Sequence, residues 1–135
     1  IRGPELTSNI KFIARVKGVR ERMVEFQRRI AENSPKGAVL EGRDIGTVVF
    51  KDTRYKFYLD ASITERAKRR FKELVEKGEK VSKKCIENDI IKRDESDKKR
   101  EFGPLVKAED ANHIDTTDLT IEEVVQKILS FIKAV

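Results

Sequence analysis

The sequence has one Cys, one His, one Met and no Trp. A lone thiol, Cys85, closes no internal disulfide, and together with His113 it makes no metal-ligand cluster, so disulfide scaffolds and zinc modules are disfavoured. Cys85 falls beside Ile86 on an apolar stripe and reads as a packed thiol. His113 has no Ser, Cys or carboxylate partner at catalytic spacing, so neither residue is a candidate nucleophile or base. No apolar run nears the roughly 18 residues that cross a bilayer, and the opening lacks the apolar stretch of a signal peptide. A soluble, cytoplasmic protein with no membrane partner is the expectation. Aromatics reach only 7%, few for a base-stacking platform, and no RNA- or DNA-binding signature occurs.

What the chain has in abundance is charge. Charged residues make up 40% of its 135 residues, and 30 Lys and Arg against 24 Asp and Glu leave a formal charge of +6. That excess fits an anionic partner or a solvated mixed-charge surface. Richness in Lys and Glu with little Met or Cys is common in heat-adapted proteins. The first residue is Ile1, not Met, from which a processed or excised piece of a longer protein is expected.

Gly3-Pro4-Glu5 suits a helix start, and Ile10, Ile13 and Val16 recur at helical spacing until Gly18 interrupts them. A second helix from about Val19 to Glu32 would carry Val19, Met23, Phe26 and Ile30 on one face. Asn33-Ser34-Pro35-Lys36-Gly37 is dense in turn residues. Ala38-Val39-Leu40 then reads as a short buried strand running into the polar loop Glu41-Gly42-Arg43-Asp44. Thr47-Val48-Val49-Phe50 fits either a strand or an apolar turn, and Tyr55–Asp60 is a further strand. Ser62-Ile63-Thr64-Glu65 forms a capping box opening a basic helix to about Lys77, ended by Gly78. A helix over Ser82–Lys99 bears Ile86, Ile90 and Ile91, and Gly103-Pro104 closes it. Asn112–Asp115 is a last short strand. Thr120 and Glu123 cap a terminal helix whose Val124, Val125, Ile128, Leu129 and Ile132 face a core. The alternation is an α/β pattern.

Three basic constellations invite chemistry. Gly42-Arg43-Asp44-Ile45-Gly46-Thr47 follows a strand, where open α/β sheets bind ligands, and offers a guanidinium fork beside a carboxylate. A local ion pair in a tight turn explains the same residues. Arg66, Arg69 and Arg70 share a helix face and could converge on a polyphosphate, or form a solvated basic face. Arg93, Asp97 and Arg100 also share a face, and a charge ladder worth about 0.2–0.5 kcal/mol per pair is the plainer alternative. Phosphoryl transfer relies on cationic positioning and needs no protein nucleophile, so it suits this arginine surplus.

With these residues in view, the chain resembles the bacterial-type cytidylate kinases. The resemblance rests on Leu40–Phe50, on Leu59-Asp60-Ala61-Ser62 with Glu65–Arg70, on Ile91–Asp97 followed by Pro104-Leu105, and on Asp115–Thr120. It implies an α/β fold of the P-loop nucleoside monophosphate kinase type: a parallel sheet flanked by helices, here incomplete at its N-terminal side. Its parts would be a helical portion of the monophosphate-binding region (1–36), core strands (37–61), the lid with flanking helices (62–103), and a final strand and helix (104–135). The implied reaction is phosphoryl transfer from ATP to CMP or dCMP with Mg²⁺. By position, Arg20 and Asp44 would read the cytosine, Arg43 and Arg100 would hold the CMP phosphate, and Arg93 with Asp97 would hold the sugar. Arg66, Arg69 and Arg70 would belong to the lid and neutralise charge on the transferred group.

Two features depart from the family. A small hydroxyl residue that precedes the Arg20 position by nine is Lys11 here. The family's Gly-rich phosphate loop, G-x-x-x-x-G-K-[ST], occurs nowhere in the 135 residues. The chain is therefore expected to be a C-terminal portion, inactive alone, with the phosphate loop on a missing segment or partner chain. A basic nucleic-acid-binding module and a non-catalytic structural fragment are the competing readings.

Overall fold

A computed structural model describes residue 13 and residues 16–133. The expected helix start at Gly3-Pro4-Glu5, together with Ile10 and Lys11, lies outside the described residues. Helix α1 spans Lys17–Glu32. Gly18 therefore sits inside a helix and does not break one; the break falls at Val16, whose backbone is extended at φ −74° and ψ 117°. A solvent-exposed glycine costs a helix about 1 kcal/mol against Ala, a penalty that disfavours but does not forbid helix at that position. Val19, Met23, Phe26 and Ile30 do share a face, and it is substantially exposed, at 38–56%.

The chain then runs without regular structure to a five-residue π-helical turn, Ile45–Val49. Ala38–Leu40, expected as a buried strand, is not one, and Val39 is fully exposed. Strands exist only by pairing, and the described sheet consists of two other segments that hydrogen-bond to each other. The ambiguous Thr47–Phe50 falls in and just after the π turn. Wide rings close there, from Val49 N–H to Asp44 O (3.3 Å) and from Phe50 N–H to Ile45 O (2.7 Å). Arg28 on α1 straps this turn, donating from Nε to Val49 O (2.7 Å) and from Nη2 to Val48 O (2.9 Å).

Strands β1 (Phe57–Asp60) and β2 (Asn112–Asp115) pair in parallel, Phe57 opposite Asn112 and Asp60 opposite Asp115. Between them in sequence lie helices α2 (Ile63–Glu76) and α3 (Lys83–Lys98). Parallel strands require such a crossover, since no tight turn can join them. Ala67 and Leu74 of α2 bury against Ile86 of α3, with Phe71, Val81 and Ile90 packed around them. Burying a Leu or Ile side chain contributes roughly 1.5–3 kcal/mol. Ile91 points outward instead, at 38% exposure. Gly78 adopts φ +79°, the left-handed conformation that ends α2.

Helix α4 (Ile121–Lys133) starts with a full capping box: Thr120 Oγ1 accepts from Glu123 N–H, and Glu123 Oε2 accepts from Thr120 N–H. The expected box at Ser62 is only half made. Ser62 Oγ accepts from Glu65 N–H, but Ser62 N–H donates to Thr117 Oγ1, and the Glu65 carboxylate is taken by Lys68 and Arg69. On α4, Val124, Ile128 and Leu129 are half-buried, whereas Val125 and Ile132 are exposed. Phe131 packs on Phe57 of β1 at 5.9 Å between ring centres. No helix of the described residues is long and apolar enough to cross a membrane.

Candidate functional site

Charged side chains from three segments meet around α3. The loop before the π turn supplies Arg43, α2 supplies Arg66, and α3 with the residues after it supplies Arg93, Asp94, Asp97 and Arg100. Asp94 and Asp97 stand one helical turn apart, so their carboxylates project from the same side of α3. Asp94 takes the Arg66 fork on both oxygens, with Nη2 3.0 Å from Oδ1, and lies 3.6 Å from Arg43 Nη1. Asp97 is 1% exposed. Arg100 Nη2 pairs with its Oδ1, while Arg43 Nε at 3.2 Å and Arg93 Nε at 3.9 Å approach its Oδ2. Neither aligns as a hydrogen bond, so Oδ2 is a buried acceptor with no hydrogen-bond partner in the structure.

Four guanidiniums around two carboxylates leave an excess of two positive charges in a partly desolvated place, where charges act more strongly than in water. A phosphate dianion would balance that excess through the charge-assisted, forked contacts that arginine favours. The pairings also shift protonation. The Arg66 hydrogen bond holds the Asp94 carboxyl below its ordinary value, and Asp94 in turn raises Arg66.

Beside this cluster, Arg20 of α1 pairs with Asp44 through Nη2 and Oδ2, both side chains largely buried. They border a shallow hollow with Val19, Met23, Val24 and Gln27. Residues 103–105 join the two halves. Leu105 N–H donates to Asp97 O at 2.9 Å, and Gly103, at φ +62°, lies so close to the Arg20–Asp44 pair that a Cβ there would collide with both.

The structure thus brings Arg43, Arg93, Asp97 and Arg100 together, sets Arg20 with Asp44 next to them, and adds Arg66. Arg69 and Arg70 do not join. Although spacing puts Arg66, Arg69 and Arg70 on one face, each guanidinium is satisfied by a different neighbour. Arg69 donates to Thr116 O (2.6 Å), Thr116 Oγ1 (3.2 Å) and Glu65 (3.1 Å), and Arg70 donates to Glu73 (2.6 Å). Hydrogen bonds from Lys77 and Arg70 lower the Glu73 carboxyl to about 2.

Three polar groups escaped the sequence reading. Asp94 carried a signal, being one turn before Asp97 on the same face. Lys56, 6% exposed, donates to Lys51 O and to both oxygens of Asp110 (2.9 and 2.6 Å), and no local pattern links residues 54 apart. Arg28 reads as one more surface arginine until its carbonyl acceptors are seen. Among the described residues no three His, Cys, Asp or Glu side chains group as a metal site.

Fold and site together define an α/β protein with four arginines gathered around two carboxylates. A sequence profile of cytidylate kinases matches residues 1–134. The chain is 50% identical over 130 residues to the cytidylate kinase of Clostridioides difficile (strain 630), covering 96% of this chain and 59% of that protein. It is 46% identical over 135 residues to the one from Alkaliphilus oremlandii (strain OhILAs), covering 100% of this chain and 61% of that protein. Over 130 residues it is 49% identical to the one from Clostridium perfringens (strain SM101 / Type A), covering 96% and 59%. The chain belongs to the cytidylate kinase family, whose fold is that of the P-loop nucleoside monophosphate kinases. It spans about three-fifths of the length of these curated relatives.

Proposed function

We propose that the chain carries the monophosphate-binding and lid residues of an enzyme that transfers a phosphoryl group from ATP to CMP or dCMP, giving ADP and CDP or dCDP. The observation that carries this reading is the convergence of Arg43, Arg93 and Arg100 on Asp97, a buried carboxylate with one oxygen left without a hydrogen-bond partner. Arg43 and Arg100 grip the CMP phosphate, and Asp97 Oδ2, with Arg93 beside it, accepts from a sugar hydroxyl. Asp44 and Arg20 offer an acceptor and a donor to the amino and carbonyl groups of cytosine. A burying hydroxyl partner would remove the desolvation penalty that Oδ2 now bears.

Arg66, Arg69 and Arg70 serve the lid side. To neutralise charge on the transferred group they would exchange present carboxylate and carbonyl partners for phosphate oxygens. Mg²⁺ would accompany ATP in such chemistry, neutralising phosphate charge. A polypeptide of these 135 residues has no backbone cradle of the Gly-x-x-x-x-Gly-Lys type for ATP phosphates. It is expected to bind CMP without turning it over.

Titration calorimetry of the chain with CMP, cytidine and UMP tests the reading. CMP should bind more tightly than cytidine, through its phosphate, and than UMP, through its base. Equal affinity for all three, or affinity that follows salt alone and ignores the base, would point to a general polyanion surface instead. ATP-dependent CDP formation by the pure chain would overturn the inactivity.

A further inference from the structure

We infer that Arg28 is a positioning residue that sets the geometry of Arg43 and Asp44 by holding the π turn beneath them; the inference rests on the nucleotide reading above. The carbonyls of Val48 and Val49 lie at the end of a turn that no helix continues, so no backbone donor follows to satisfy them. One guanidinium serves both, with Nε to Val49 O at 2.7 Å and Nη2 to Val48 O at 2.9 Å. The N–H groups of Val48 and Val49 meanwhile donate back to Asp44 O, at 2.9 and 3.3 Å. A continuous path of hydrogen bonds therefore runs from Arg28 through the turn to the backbone of Asp44, the neighbour of Arg43.

The side chain of Asp44 is held separately by Arg20. Arg20 and Arg28 are eight residues apart on α1, about 12 Å along the axis. The helix thus fixes the loop at two places, one at the carboxylate and one at the far end of the turn. Both places matter to base selection, because Asp44 must present its oxygens at a fixed angle to tell an amino group from a carbonyl. Lysine cannot replace Arg28, since a single ammonium does not reproduce a planar fork spanning two carbonyls.

Two readouts on the full 135-residue chain test this, using Arg28→Ala and Arg28→Lys. Amide hydrogen exchange should accelerate at Val48, Val49 and Phe50 in both variants while Leu59 and Ile114 in the sheet keep wild-type protection. The ratio of CMP to UMP affinity should fall roughly tenfold in both, the loss expected when hydrogen bonds from a charged group are removed. Unchanged exchange at 48–50 would overturn the clamp. Accelerated exchange with an intact CMP-to-UMP ratio would overturn the positioning role. If Arg28→Ala also loses protection in the sheet, Arg28→Lys, which keeps charge and stem, decides the matter by the same two criteria. Should the wild-type chain bind neither nucleotide, the substrate reading falls, while exchange at the turn still decides whether Arg28 holds it.

Discussion

Arg66 and Asp94 meet as a two-point pair across α2 and α3, and the same carboxylate lies 3.6 Å from Arg43. One acidic side chain thereby ties Arg66, proposed for the lid, to Arg43, proposed for the CMP phosphate.

Acid should weaken the fold partly through this pair. The Asp94 carboxyl is held below its ordinary value of 3.8, chiefly by the Arg66 hydrogen bond. A depressed carboxylate stabilises fully above its unfolded pKa, and that stabilisation is lost as pH falls through the folded one. Urea unfolding at pH 7 and at pH 3 should show a drop in stability that is smaller in Asp94→Asn, which has no charge to lose. An equal drop in both proteins would mean the pair contributes nothing net.

Asp97 should be costly to remove. Deleting one member of a buried ionic group leaves the others unpaired, at about 3–5 kcal/mol. Asp97→Ala is therefore expected to lower the denaturation midpoint sharply, and a loss under about 1 kcal/mol would show that solvent already screens Arg43 and Arg100.

Gly103→Ala is expected to harm base recognition. The positive φ alone makes Ala cost more than the ~0.4–1 kcal/mol it gains at compatible positions, and its Cβ would push into Arg20 and Asp44. Calorimetry should show the CMP preference over UMP reduced, with inorganic phosphate binding little changed. A variant with wild-type base preference would place the Arg20–Asp44 pair outside the base site.

Where the sequence was legible, the determinant was local. The stop at Gly78 and the Thr120 box depend on residues within a few positions of one another. The arginine group was half legible: helical spacing placed Arg93, Asp97 and Arg100 on one face, and the structure closes that face with Arg43 from a distant loop. Spacing left open whether Arg66, Arg69 and Arg70 share a target, and in the structure Arg69 and Arg70 donate to the nearer Thr116 and Glu73. Ala38–Leu40 failed because an apolar run specifies hydrophobicity but not the pairing that makes a strand. Lys56–Asp110 and Arg28 depend wholly on tertiary proximity.

The parallel pairing of β1 with β2 has a kinetic side. Leu59 and Ile114 are neighbours in the sheet but 55 residues apart in the chain, so closing that contact from an open coil carries a large entropy loss. The α2–α3 hairpin occupies the interval and joins residues far nearer in sequence, such as Leu74 and Ile86. Contacts of short range form before long ones in most small proteins, so the hairpin is expected to fold first and hand the strands a loop already shortened. Stopped-flow refolding should then show Leu74→Ala slowing the folding step, and Ile114→Val acting mainly by hastening unfolding. The reverse pattern would make the sheet the nucleus. Assembled in that order, the arginine site forms only after the hairpin, since Arg43 can reach Asp94 and Asp97 only once α3 exists to present them.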